Sequence, residues 1–108
     1  MRSDRDRLID ILDATEKIEE RIPADKAEFA QNELLQVWAL HYLQIIGEAA
    51  NKISDEFKQS HNEVPWGEII GMRHILVHGY FEIDLDIVWV AIKDHLPVLK
   101  EKVKKILH

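Results

Sequence analysis

Leu8, Ile11, Leu12, Thr15, Ile18 and Ile22 recur at spacings of three and four, which predicts an amphipathic helix over residues 3–21 with one buried face. Ser3 or Asp4 can cap its start and Pro23 ends it. Asp25 offers a second cap, and because neither proline nor a turn cluster follows, the pattern predicts one long helix over residues 25–58. Gly47 is its weak point, at a cost of about 1 kcal/mol relative to alanine. Apolar residues from Leu34 to Ile53 cover more of this helix than the ~100° stripe one neighbour needs, so contact on two sides is expected. The small residues Gly47, Ala49 and Ala50 would let another helix come close at their level. His41, Gln44, Glu48 and Asn51 form the remaining polar stripe, read either as a solvent face or as a cleft in which Glu48 steadies an arginine.

The segment from His61 to Glu68 is a loop that runs into a third helix at Pro65, where a missing N–H is harmless, with Trp66 as a packing anchor. Gly79 suits the left-handed position just past that helix's end. A fourth helix is expected from about Asp84, burying Ile87, Val88, Val90, Ala91 and Leu96, and a fifth after Pro97, burying Val98, Leu99, Val103, Ile106 and Leu107. Nothing alternates with the period of two that an amphipathic strand requires. The pattern predicts an all-α bundle of about five helices forming a single domain over residues 1–108.

Composition narrows the function classes. A 46% hydrophobic, 31% charged chain is typical of a folded globule rather than a disordered one. With no cysteine, disulfides and thiolate metal sites are excluded. No run approaches the ~18 apolar residues of a membrane span, and the N-terminus alternates acids and bases without a signal-peptide core, so the expected location is cytoplasmic. A formal net charge of -6 argues against coating nucleic acid by bulk electrostatics. Any RNA would have to be held by local cations. The basic residues near the two ends, Arg2, Arg5, Arg7 and Lys100, Lys102, Lys104, Lys105, read as solvated helix faces.

The chemistry concentrates in PWGEIIGMRHILVHGYF, residues 65–81, where Arg73, His74, His78 and Tyr80 fall together. Arginine offers a permanently charged planar fork for phosphate oxygens, and histidine can give or take protons near neutrality. At about 100° per residue, positions 73 and 78 leave a helix about 140° apart, so an unbroken helix cannot aim both at one atom. Either the helix unwinds before His78, or two copies of the motif meet.

IGEAA at residues 46–50 followed by VPWGEIIGMRHILVHGYFEIDLDIVW at 64–89 resembles the HEPN superfamily, and within it the HepT-like toxins of the bacterial MNT-HEPN toxin–antitoxin systems, termed type VII. The resemblance spans most of the chain. It implies a dimeric helical bundle whose paired motifs share one cleft, and metal-independent cleavage of RNA, transfer or messenger, with no cofactor, no activity on DNA and no membrane partner. The catalytic residues it implies are Arg73 and His78, with His74 and Glu48 in supporting positions. It also implies that Tyr80 accepts AMP from a cognate MNT-type nucleotidyltransferase antitoxin, which silences the toxin. Two rival readings accompany it. His74 and His78 have the i, i+4 spacing of zinc-binding histidines but lack the glutamate that belongs between them. A non-catalytic dimerisation or nucleotide-binding module acting with a nucleotidyltransferase is the other.

Overall fold

Ser3 begins the first helix, α1 (Asp4–Arg21), through a capping box: its hydroxyl accepts from the Asp6 amide while the Asp6 carboxylate accepts from the amide of Ser3. The computed structural model describes residues 2–78 and 84–108, with backbone alone for 74–78. Leu8, Ile11, Ala14, Thr15 and Ile18 form the buried face of α1, and the Thr15 hydroxyl is satisfied by the Ile11 carbonyl at 2.9 Å. Ile22 turns extended and Pro23 follows, as the spacing predicts.

The long helix expected over residues 25–58 is three helices, α2 (Lys26–Ala30), α3 (Glu33–Lys52) and α4 (Asp55–Ser60). Asp25 caps α2 through the Ala27 amide at 2.9 Å, as expected. Asn32 and Ser54 make the two breaks. Each is extended, and its side-chain oxygen takes the amide three residues on, Leu35 at 3.1 Å and Phe57 at 3.2 Å. A short polar side chain that captures an amide in this way competes with the helix it would otherwise sit in. Gln36 tightens the first break by donating to the carbonyls of Phe29 and Ala30 at 3.0 and 3.1 Å.

α3 is the central element, packed against α1 on one side and α5 (Trp66–His78) on the other, which accounts for its wide apolar arc. Ala39, Leu40, Leu43, Ile46 and Ala50 are buried there. Trp38 is a packing residue between α1 and α3: its indole donates to the Lys17 carbonyl at 2.9 Å, and the Arg21 guanidinium lies 4.7 Å from the ring centre. α2 docks through Phe29, fully buried, whose ring meets Trp89 at 5.4 Å.

Pro97 does not separate two helices. α6 (Leu85–Val90) runs through one π-helical turn, Ala91–His95, directly into α7 (Leu96–Leu107). The wider turn bonds the Leu96 amide to the Ala91 carbonyl, five residues back, and leaves Pro97, which has no amide to offer, in the first turn of α7. The sequence assigns Ile87, Val90 and Val98 to the core, but they are outward, 55%, 43% and 49% exposed. On α3 the same holds for Leu34 and Val37. Among the described residues there is no strand, and no helix is long and apolar enough to cross a membrane.

Asp4 ties the start of α1 to the α3–α4 break. The Ser54 amide and hydroxyl donate to its carboxylate at 2.9 and 2.7 Å, and these bonds, the backbone one foremost, hold its pKa below the ordinary carboxylate value. A depressed folded pKa gives stability that is present above the unfolded value of ~3.9 and is lost as pH falls through the folded value. Asp4→Ala should therefore lower the Tm at pH 7, and the gap from wild type should close on acidification below about pH 4. Ser54→Ala removes the cap as well as the tie, at about 1 to 2 kcal/mol, and part of its deficit should persist in acid. Thermal melts across pH 2.5–7, a range set by that ~3.9 value, check both.

Candidate functional site

α5 begins where Trp66 is fastened. The Trp66 side chain is buried, its indole donates to the His61 carbonyl at 3.0 Å, and its ring meets Phe57 edge-on at 6.3 Å. Pro65 stands just before the first helical residue and its carbonyl accepts from the Ile69 amide at 3.2 Å, so the chain enters α5 from a fixed corner. Ile69 and Met72 are buried, and α5 lies along α3 by that face.

The two helices meet backbone to backbone at Gly47. A Cβ placed on Gly47 would fall 2.8 Å from the Arg73 nitrogen, 3.0 Å from the Arg73 Cβ and 3.2 Å from the Ile69 carbonyl oxygen. Such distances leave no room for any side chain but hydrogen. At Gly47 the close approach expected at this level is therefore real, and it falls on the arginine of the motif. Arg73 itself is half-buried.

α5 remains helical through His78. Unwinding before His78 is thereby excluded, and the backbone positions of Arg73 and His78 leave the axis about 140° apart. His74 lies within the same helix. The side chains of His74 and His78 fall outside the described residues, as do Gly79 and Tyr80, the expected cap and AMP acceptor.

Glu48, next to the crossing, is exposed and accepts from the Gln44 side-chain amide at 3.3 Å. Among the described residues the ion pairs are Arg2–Asp10, Lys26–Asp86, His61–Glu63, Lys100–Glu19 and Lys105–Glu101, and none joins Glu48 to Arg73 within the protomer. Two of the terminal lysines are occupied internally: Lys100 pairs with Glu19 at 2.9 Å, and Lys102 donates to the Glu63 carbonyl at 2.7 Å. The Glu19 bond raises the Lys100 pKa above its ordinary value. These contacts agree with reading the C-terminal basic cluster as a helix face.

A feature the sequence did not disclose lies on another side of α5, where α6 and the π turn face it. There an open groove of about 570 Å³ is lined by Gly71, Met72, Ile87, Val90 and Ala91, with Glu68, Asp86 and His95 also on its walls. A Cβ on Gly71 would meet nothing within 4 Å among the described residues, so they leave the α5 wall bare at that point. Carboxylates on the walls and apolar surface between them make the groove a poor seat for a phosphate and a good one for another apolar surface. The only signal in the sequence was that Ile87 and Val90 are three residues apart, and they read equally well as core.

Residues 11–106 match the family described as Ribonuclease HepT-like. The chain is 40% identical over 106 residues to the probable ribonuclease HepT of Thermococcus cleftensis, covering 97% of this chain and 96% of that one. It is 38% identical over 98 residues to a Methanocaldococcus jannaschii protein with a provisional RNase name, covering 90% of each. A Caldanaerobacter subterraneus protein, also provisionally named an RNase, is 38% identical over 108 residues, covering 99% of this chain and 96% of that one. No solved structure matches the chain.

Proposed function

The chain belongs to the Ribonuclease HepT-like family, in the HEPN superfamily, and we propose that it is a metal-independent endoribonuclease whose active site forms between two copies. The observation that carries this reading is the unbroken course of α5 to His78. In one copy positions 73 and 78 lie about 140° apart around the helix axis, which supports a site in which the arginine and the histidine acting on one phosphate come from two copies related by a two-fold axis.

At such a site an imidazole takes the proton of a ribose 2'-OH, and the 2'-oxygen attacks the adjacent phosphorus. The bond to the 5'-oxygen breaks, and that oxygen takes a proton from a second imidazole or from water. The products are a 2',3'-cyclic phosphate and a 5'-hydroxyl. Arg73 stabilises the charge gathering on the non-bridging oxygens. DNA has no 2'-OH and is not cut.

The second copy covers α5 and the groove beside it. Ile87 and Val90 are exposed, and a Cβ on Gly71 would meet no described residue within 4 Å, so an apolar surface meets there with nothing from the described residues of its own chain upon it. In the toxin–antitoxin setting, a nucleotidyltransferase partner joins the α-phosphorus of ATP to the Tyr80 phenol oxygen and releases pyrophosphate. The added phosphate and its bulk beside the motif then exclude RNA.

Arg73→Ala and His78→Ala should each abolish RNA cleavage while circular dichroism shows an intact fold. Arg73→Lys should lose most activity, because a point charge does not replace a bidentate fork. Cleavage at wild-type rate by either alanine variant would refute the mechanism, and inhibition by EDTA that zinc restores would favour a metal site at His74 and His78.

Ile87→Asp with Val90→Asp should turn a dimer into a folded monomer without nuclease activity, read by light scattering at micromolar concentration. An active monomer would sink the composite site.

With ATP and the transferase supplied, intact mass should show one AMP on wild type and none on Tyr80→Phe. An equal adduct on both proteins would remove Tyr80 from its assigned role.

A further inference from the structure

We infer that Gly47 is the positioning residue for Arg73, and that the absence of a side chain at position 47 sets where the guanidinium acts. The inference rests on the nuclease reading of Arg73 given above. Its own ground is the crossing of α3 and α5, where the atoms nearest a Cβ on Gly47 are the Arg73 nitrogen at 2.8 Å, the Arg73 Cβ at 3.0 Å and the Ile69 carbonyl oxygen at 3.2 Å. Two of the three are backbone atoms inside a helix, so no rotamer change moves them away. Any larger residue at 47 has to push α5 off α3.

The push cannot be spread evenly along α5. At its start the helix is fastened by buried Trp66, through the indole bond to His61 and the contact with Phe57. Ile69 and Met72 hold the following turn in the core. The displacement therefore falls on Arg73 and the C-terminal end of the helix. A long side chain magnifies a small shift of its Cα, and a catalytic group misplaced by roughly 1 Å can cost on the order of a hundredfold in rate.

The other described glycines of α5 sharpen the contrast. A Cβ on Gly67 or Gly71 meets nothing within 4 Å among the described residues, so no contact described there demands glycine at either position. Of the three described glycines, Gly47 is the one at which the missing side chain is a condition of the packing.

The test is Gly47→Ala, assayed as full-length protein on RNA beside wild type, Arg73→Ala and Val103→Ala. Val103 is a fully buried residue of α7, away from the crossing, and serves as a control for lost stability. Expected for Gly47→Ala is a fall in kcat of about tenfold to a hundredfold, with KM within about twofold of wild type. Its Tm should fall although alanine is the better helix former, and in ¹H–¹⁵N spectra the Arg73 amide should shift more than amides of α7. Should Gly47→Ala be recovered unfolded, Gly67→Ala is added to variant and wild type alike to strengthen α5, and the same comparison is made.

Wild-type kcat in Gly47→Ala overturns the inference and leaves the nuclease reading standing, provided Arg73→Ala is inactive. An equal loss of kcat in Val103→Ala also overturns it, since the effect is then only stability. A wild-type protein that leaves RNA uncut, or an Arg73→Ala that cuts it normally, overturns the nuclease reading and the inference together.

Discussion

The structure depends on the contact between α3 and α5 at Gly47. α3 stands in the middle of the bundle, with α1 against one side and α5 against the other. Its buried residues Leu40, Leu43, Ile46 and Ala50 contribute on the order of 1.5 to 3 kcal/mol for each large side chain. That energy holds the helices together, but it does not set their separation. The separation is fixed where backbone meets backbone, and that point is also where the arginine of the motif leaves its helix. Core packing and the site share one coordinate.

Much of this was legible in the sequence, and the illegible parts have a common cause. The three-and-four spacing of α1, the Asp25 cap, the anchor at Trp66 and the small residues opposite α5 are local patterns with one structural meaning each. The order of IGEAA and the Arg73–His78 segment was enough to indicate the family. Asn32 and Ser54 were missed as breaks because each is an ordinary polar residue inside a helix until its side chain captures an amide three residues ahead. Pro97 misled in the opposite sense, since a π turn upstream let the helix run through it. Ile87 and Val90 were assigned to the core because an apolar residue that faces a groove has the same periodicity as one that faces the interior. Sequence shows which residues are apolar but not which of them the chain itself has surface enough to cover.

Electrostatics gives two parts of the surface opposite characters. The net charge of -6 denies the chain a general attraction for nucleic acid, so an RNA phosphate has to be recognised by a few placed cations. Lys100 and Lys102 of α7 contribute little toward this, since they already bond to Glu19 and the Glu63 carbonyl. Arg73 is the cation that the fold sets at the helix crossing, half-buried and fixed at its base. The groove between α5 and α6 has the opposite character, with Glu68 and Asp86 beside bare apolar wall. Phosphate is repelled there and another protein surface is not.

Glycine at 47 joins these considerations in one residue. In the interior of a twenty-residue helix it costs about 1 kcal/mol against alanine, and from sequence that is all it signifies. The loss would be recovered by one methyl group if helix propensity alone decided the residue. The methyl group has no place to go, because the Arg73 nitrogen lies 2.8 Å from where it would be. A helix weakened at one point thus allows its neighbour to come close enough to set the base of Arg73 at a defined depth. The spacing of Arg73 and His78 has the same kind of meaning: the continuous helix α5 sets the two positions about 140° apart around its axis.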